Sequence, residues 1–333
     1  MALMTFEDLV HIVRSVFVRN GMSDENAMII ATNCVSAERD GAASHGLFRV
    51  SQYVSSLKSG AVDGHAKPAL DLDSAASVVS VDARNGFAQP ALELSRQPAI
   101  EKARAAGISI IGIRDSHHLS ALWLDVEPFA REKLIALAFV NSIPRVVPWG
   151  GREPVLGTNP MAFAVPREHE PPLIFDQASS AMAFGEIALA AKAGHSVSPD
   201  VGVDRHGQPT TIAQAIIDGG ALLPFGGHKG SAITLMVELL AAALTGSNFS
   251  FEVGSSAAPG TRTVRTGELV ILIDPRSLSA NNFCQRVDVV IDKLMASGVK
   301  RLPGNRRHQN RMRSLSEGIA VSDAMLATLN GYL

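Results

Sequence analysis

The sequence predicts an α/β protein with helical ends. The first sixty residues keep a helical period, short apolar strands separated by helices begin near Ala76, and helix returns after Asn282. Beyond Val140 the strands no longer alternate strictly with helices, so the sheet need not be all parallel.

The helices open on recognisable caps. Thr5-Phe6-Glu7-Asp8 has the spacing of a capping box, and Leu9, Ile12, Val13 and Val16 then share one face until Asn20-Gly21. Ser23 can cap a second helix running through Ile29, Ile30 and Val35 to about Arg39. After the break at Asp40–Gly46, Val50, Tyr53, Val54 and Leu57 mark a third helix that stops at Ser59-Gly60. Strands are expected at Ala76–Val81, Ile108–Ile113, Ile135–Val140, Met161–Val165, Leu173–Phe175 and Val270–Ile273. Helices are expected over Pro90–Ala105, Ala121–Glu132, Ala181–Ala193, His228–Leu244, Asn282–Ala296 and Asp323–Leu329, and Ser255–Thr263 reads as a mobile loop.

Composition narrows the class. The 333 residues carry 30 Lys+Arg against 32 Asp+Glu, a formal charge of −2, with 46% hydrophobic residues, enough for a sizeable core and two domains. A pI near 6.6 argues against nucleic acid as the main partner. Cys34 and Cys284 are too few for a disulfide framework and fit a reducing, cytoplasmic setting. The N-terminus lacks a signal-peptide pattern. The most apolar run, Ala232–Leu244, contains Glu238 and is shorter than the ~20 residues of a membrane span. The positive mean hydropathy of +0.15 therefore points to a large core or subunit interface, with no membrane.

The motifs suggest an anion-binding site. No strand–G-x-G-x-x-G–helix pattern is present, which disfavours a Rossmann dinucleotide site. Gly226-Gly227-His228-Lys229-Gly230 opens an apolar helix, where free N–H groups, the helix dipole and Lys229 favour a phosphate; a tight turn before a buried helix is the plainer alternative. His45 and Arg49 lie four residues apart, so on a helix they share a face. A histidine moves protons near neutral pH and an arginine fork binds a carboxylate, while a solvated helix with a capping Ser44 remains open. His117-His118 ends a strand, where ligand crevices form, without the spacing of a zinc site. Gly157-Thr158-Asn159-Pro160 is a turn by its chemistry. Asp176 and Glu186 can orient a histidine or serve as caps and solvated charges.

Six segments together resemble the malate/L-lactate dehydrogenase family that lacks the Rossmann fold. They are Ser44–Arg49, Gly86–Pro90, Ser116–Trp123, Gly157–Pro160, Phe175-Asp176 and Pro224–Gly230, in the family's order over nearly the whole chain. Ser116–Ala130 and Gly219–Gly246 are most similar to the branch of Δ1-piperideine-2-carboxylate/Δ1-pyrroline-2-carboxylate reductases. The resemblance implies NADPH-dependent reduction of a cyclic imino acid to L-pipecolate or L-proline, with NADH the weaker alternative cofactor. It also implies a homodimer and a non-Rossmann NADPH-binding domain with a largely antiparallel sheet. The expected division is 1–115 with 305–333 as a helical substrate and dimerisation domain, and 116–304 as the cofactor domain.

By position, the resemblance makes Ser44, His45 and Glu186 the proton relay, and Arg49 and Thr158 the substrate ligands. Glu186 stands where related reductases have an aspartate, which puts its hydrogen bond to His45 in question. Cofactor contacts are assigned to His117, His118, Leu119, Ser120 and Ala121, to Phe175, Asp176 and Gln177, and to His228 and Lys229. Arg301, Pro303, Gly304, Asn305, Arg306 and Arg307 complete the set, their arginines suiting a 2′-phosphate. Leu119 replaces a usual phenylalanine. No metal is expected. A 2-keto acid reductase of malate, lactate or ureidoglycolate type is the alternative on the same fold, and a catalytically lapsed dimeric binding protein is the alternative of another class.

Overall fold

The computed structural model of the chain describes residues 1–253, 264–279 and 282–333; the expected loop at Ser255–Thr263 lies outside the described residues. Strand β1 (Ala2–Met4) leads into helices α1 (Phe6–Arg19), α2 (Asp24–Arg39) and α3 (Val50–Lys58). Both expected caps form: Asp8 N donates to Thr5 Oγ1 at 3.1 Å and Asn26 N to Ser23 Oγ at 3.4 Å, satisfying donors that the first turn leaves unpaired.

A seven-stranded sheet follows. Its strands are β2 (Ala69–Asp71), β3 (Val78–Phe87), β4 (Ile108–His117), β5 (Ile135–Val140), β6 (Met161–Val165), β7 (Leu173–Gln177) and a later strand, Thr266–Ile273. Helix α4 (Ala88–Ala106) links β3 to β4, and α5 (Trp123–Arg131) links β4 to β5. After β7 come α6 (Phe184–Ala193), the small β8 (Gly202–Val203), α7 (Ala213–Ile217) and β9 (Ala221–Leu222), and then α8 (His228–Glu238), which continues as a π turn over Leu239–Ala243. Strand β10 (Thr266–Ile273) precedes α9 (Arg276–Ser279), α10 (Phe283–Ala296), α11 (Asn305–Glu317), β11 (Ile319–Val321) and α12 (Asp323–Asn330). The strand order is β2-β3-β4-β10-β5-β6-β7, with β3 parallel to β4 and the other neighbours antiparallel. The sheet is mostly antiparallel, and it is continuous across residue 115, which lies within β4.

Alternation along the strands decides what each face buries. Val79, Val81, Ile111, Ile113, Ala136, Ala138, Val270 and Leu272 meet Leu92, Ile100, Val126 and Phe129 of α4 and α5. Leu269 and Phe139 face the other way, onto Val237 and Ala241 of the α8 region. The chain ends share a separate core, in which Leu9, Val13, Phe17, Ile30, Val35 and Tyr53 pack with Ile319, Val321 and Leu329. Each such side chain contributes about 1.5–3 kcal/mol when fully buried. Strand pairing of Ala2–Met4 with Ile319–Val321 closes the two termini on each other.

Several boundaries differ from expectation. Helix α6 starts at Phe184 rather than Ala181, because Ala181 N donates to Leu223 O at 2.8 Å and Ser180 bridges to Pro224, which keeps the segment extended. Ser44 to Arg49 form two 3-10 turns, Ala43–His45 and Leu47–Arg49, instead of the start of a helix. Helix α11 has no apolar stripe to announce it: its apolar residues are Met312 and Leu315, both exposed, and it adds none to a hydrophobic core.

Polar contacts anchor α11 instead. Arg311, with a side chain 12% exposed, donates from Nε to both oxygens of Asp40 at 3.0 Å, and from Nη1 and Nη2 to Glu127 at 2.6 and 2.7 Å. Burial would raise the Glu127 pKa, but the hydrogen bonds and charge of Arg311, with those of Arg131, lower it to about 2. Asn310 Nδ2 donates to Asp40 O at 3.2 Å and Ser314 Oγ to Arg39 O at 2.9 Å. Replacing Arg311 by Met leaves Asp40 with Arg39 alone and Glu127 with Arg131 alone, and urea denaturation should show a loss of about 1.5–3 kcal/mol; a loss under about 1 kcal/mol rejects the anchor. The depressed Glu127 pKa adds stability above the ordinary carboxylate range, lost as pH falls toward about 2, and this acid-dependent component should shrink in the variant, where Arg131 alone still lowers it.

Candidate active site

The first part of the site is set by Gly46. A Cβ there would lie 2.2 Å from Glu38 Oε2 and 2.9 Å from Glu38 N, so only glycine lets the turn rest on α2. Glu38 Oε2 accepts from Leu47 N at 2.9 Å and fixes the second turn. Ser44 Oγ then lies 3.0 Å from His45 Nδ1. Arg49 donates from Nε to Ser44 O at 2.9 Å and from Nη1 to Gln52 Oε1 at 2.7 Å, leaving Nη2 without a partner among the described residues. Burial, with the positive charges of Arg49 and His118, pushes the His45 pKa down to about 3. The pair therefore offers a neutral imidazole beside a guanidinium with donors to spare.

The second part lies at the ends of β3, β4 and β10, where the register shifts between Asp82 and Gly86 and between Thr266 and Glu268. Arg84, Asn85, Asp115 and Arg265 hold positive φ of 53°, 59°, 55° and 46° there, a concentration of left-handed backbone that bulges permit and functional sites often carry. His117 Nε2 lies 2.8 Å from Asn85 Oδ1, and burial with the Arg265 charge lowers its pKa to about 4. His118 Nε2 instead donates to Asp125 Oδ2 at 2.7 Å. Ser120 Oγ donates to Asn33 Oδ1, Leu119 packs on the terminal core, and Ala121 is buried. Asp176 Oδ2 accepts from Trp123 N at 2.9 Å and so caps α5; burial pushes its pKa up to about 6 against that bond and Arg307.

Thr158 is held from below. Its N–H donates to Ser142 Oγ at 2.9 Å, and the two hydroxyl oxygens are 3.1 Å apart. The neighbouring Asn159, fully buried at φ 33°, donates to Thr234 O at 3.0 Å and Glu238 Oε2 at 2.7 Å. Glu238 also accepts from Ser250 N and Oγ, both at 2.6 Å, so the acid inside the most apolar helix is a tether for the 157–160 turn. The α8 N-terminus is equally constrained: a Cβ on Gly230 would lie 1.7 Å from Phe225 O. His228 and Lys229 are exposed there, with the His228 ring 6.3 Å from Trp149.

Arg301, Leu302, Pro303, Gly304, Arg306 and Arg307 line one cavity of about 290 Å³. Arg307 is tied down, donating to Ile174 O at 2.9 Å with its guanidinium 5.1 Å from the Trp123 ring centre. Arg301 and Arg306 are exposed and make no side-chain hydrogen bond among the described residues. Asn305 opens α11. Phe175 packs on Phe163 at 5.5 Å, and Gln177 is exposed at the end of β7.

The structure thus gathers His45, Arg49, His118 and Asp176 into one electrostatic neighbourhood, with the 301–307 cavity joined to it through Trp123 and Arg307. Glu186 is not hydrogen-bonded to His45. Its neighbour Gly185 is close enough that a Cβ would lie 3.3 Å from Ser44 Cβ, yet the Glu186 carboxylate is exposed. Helix α6 brings its backbone rather than this acid to Ser44. Sequence reasoning passed over Asp125, Asn85 and Glu268; an acid inside the apolar run Thr266–Ile273 was the available signal, since unpaired acids are rarely buried.

Residues 4–330 match the malate/L-lactate dehydrogenase family. The chain belongs to this family. It is 52% identical over 325 residues to the Δ1-pyrroline-2-carboxylate/Δ1-piperideine-2-carboxylate reductase of Pseudomonas syringae pv. tomato, covering 98% of this chain and 94% of that one. It is 38% identical over 312 residues to the (2R)-3-sulfolactate dehydrogenase (NADP(+)) of Chromohalobacter salexigens, covering 94% and 92%. The crystal structure of the Δ1-piperideine-2-carboxylate reductase of P. syringae superposes with a TM-score of 0.97 at 50% identity over all of both chains. As a malate/L-lactate dehydrogenase family member the chain is an oxidoreductase that uses a nicotinamide cofactor. Histidine-detected NMR should find His45 uncharged from pH 5 to pH 8, because its pKa is lowered to about 3; protonation near pH 6.5 contradicts the geometry.

Proposed function

We propose that the chain reduces Δ1-piperideine-2-carboxylate and Δ1-pyrroline-2-carboxylate to L-pipecolate and L-proline, with NADPH as reductant. The full-length likeness to reductases of that name carries this reading. The Arg49 fork suits the substrate carboxylate, since Nη2 has no partner among the described residues beside Ser44 and His45. Thr158, with its hydroxyl on Ser142, bounds the same substrate. A bound nicotinamide supplies a hydride, and the protein's task is to hold the imine carbon within about 3–3.5 Å of it. A protonated iminium is already electrophilic, so neutral His45 serves as the proton acceptor of the oxidative direction, with Ser44 aligning its ring.

The cofactor residues are His117 to Ala121, Phe175 to Gln177, His228, Lys229 and the 301–307 segment. Arg301 and Arg306 around the 290 Å³ cavity suit the 2′-phosphate of NADPH, whereas Arg307 is occupied with Ile174 and Trp123. A relative whose name includes NADP(+) supports that choice. A homodimer accounts for the apolar side chains left outside, since Leu235, Met236, Leu239 and Leu244 are 49%, 38%, 50% and 62% exposed along the α8 region. Among the described residues no helix is long and apolar enough to cross a membrane, and with two unpaired cysteines we place the enzyme in the cytoplasm.

Purified protein should oxidise NADPH with either cyclic imino acid; turnover of pyruvate or oxaloacetate alone would overturn the substrate. Arg49→Ala should raise KM by the equivalent of about 2–5 kcal/mol, and unchanged kinetics remove Arg49 from the site. Replacing Arg301 and Arg306 together by Ala should weaken NADPH more than NADH in fluorescence titrations. Equal weakening rejects the phosphate role.

A further inference from the structure

We propose that a second cavity, between the N-terminal strand and the end of α11, binds a small amino acid as its zwitterion. Arg39 would take the carboxylate, Glu7 and Glu317 the ammonium group, and Phe6 with Leu3 the apolar side chain. None of these residues belongs to the proposed reductase site, so the two are tested separately.

Three helix ends meet at the cavity. Gly318 stops α11 at φ 92°, where a Cβ would lie 3.3 Å from Met4 O, and the chain turns there into β11, the partner of β1. Thr5 caps α1 on the far side of β1, and α2 delivers Arg39 in its last turn. Ser314 Oγ donates to Arg39 O at 2.9 Å, which fastens α11 to α2 beside the opening. The space left between them is about 360 Å³, larger than the 290 Å³ around residues 301–307. That lies within the ~300–1,000 Å³ of small-molecule sites.

The lining is divided by chemistry. Arg39, with a side chain 16% exposed, lies over the Phe6 ring at 5.1 Å and uses only Nε, which donates to Asp40 Oδ1 at 2.7 Å. Its Nη1 and Nη2 have no hydrogen-bond partner among the described residues. A guanidinium fixed in this way presents two parallel donors to a carboxylate. Glu7 and Glu317 carry the opposite charge: both are exposed and make no ion pair among the described residues. Glu317 also ends α11, whose last carbonyls form the negative end of the helix dipole. Leu3, Met4 and Leu315 complete the apolar part. A guanidinium alone would accept any anion, and an apolar wall any hydrocarbon. Carboxylates placed beside both select a ligand that carries an anion and a cation on one short apolar body, which is the chemistry of an α-amino acid.

Isothermal titration calorimetry on the full chain tests this with L-leucine as the probe. Isocaproate, the same skeleton without the ammonium group, and isoamylamine, without the carboxylate, are the controls. L-Leucine should bind one equivalent, and each control at least about tenfold more weakly. Glu7→Gln combined with Glu317→Gln, both on the surface, should weaken L-leucine about three- to tenfold and leave isocaproate within about twofold. Arg39→Gln should weaken both acids. No L-leucine binding tighter than about 10 mM, controls that bind as tightly as the probe, or undiminished affinity in either variant overturns the proposal. Should a variant not fold, NMR of wild-type protein with labelled methionine methyl groups decides. L-Leucine should shift the Met4 signal and leave that of Met182, just before α6, in place; a shift at Met182 with none at Met4 overturns the assignment.

Discussion

The site depends on one buried guanidinium. Arg311 joins Asp40 at the end of α2 to Glu127 on α5, and these three side chains come from the two ends and the middle of the chain. Asp40 is followed directly by the turns that hold Ser44, His45 and Arg49, and Glu127 lies one half-turn beyond Asp125, the partner of His118. An arginine has enough donors in a rigid fork to serve two carboxylates at once, which a lysine does not. Closing this contact seats the terminal helices against the strand ends and brings proton-handling and carboxylate-binding groups together.

Around that junction the two key histidines are driven in opposite directions. His45 has a serine hydroxyl and a guanidinium as neighbours, so burial goes uncompensated and the ring stays neutral. His118 is as deeply placed but faces carboxylates, and their attraction outweighs the loss of hydration. The formal charge of −2 over the whole chain hides this local contrast, as it hides the arginines around the 301–307 cavity. Bulges and left-handed residues at the ends of β3, β4 and β10 aim both His117 and His118, so backbone irregularity is part of how the site is made.

Much of this was readable beforehand. Thr5 and Ser23 announced their helices because capping is local, and the apolar runs of the central strands announced themselves by burial. Ser44, His45, Arg49 and the 117–121 turn stood out through their likeness to the family's motifs, since by residue type alone a solvated helix with a capping serine and a plain strand end explain them as well. Helix α11 did not, because its hold on the protein is through Arg311, Asn310 and Ser314 reaching far-off partners, a pattern with no period in the sequence. Glu186 was drawn into the relay by its position in the chain, yet a side chain three bonds from the backbone turned to solvent there.

By itself, then, the sequence determined the central strands and the capped helices, since these follow from local caps and alternation, and left room after Val140 for a sheet that is not all parallel, while its six family-like segments carried the residues of a hydride-transfer site. Tertiary structure alone decided which acids count. Asp125, Asp176, Glu238 and Glu268 look alike as letters, but one orients a histidine, one caps a helix, one tethers a turn and one is shut away with no hydrogen-bond partner among the described residues. Burial and the nearest donor assign those roles, and both depend on contacts between residues far apart in the chain.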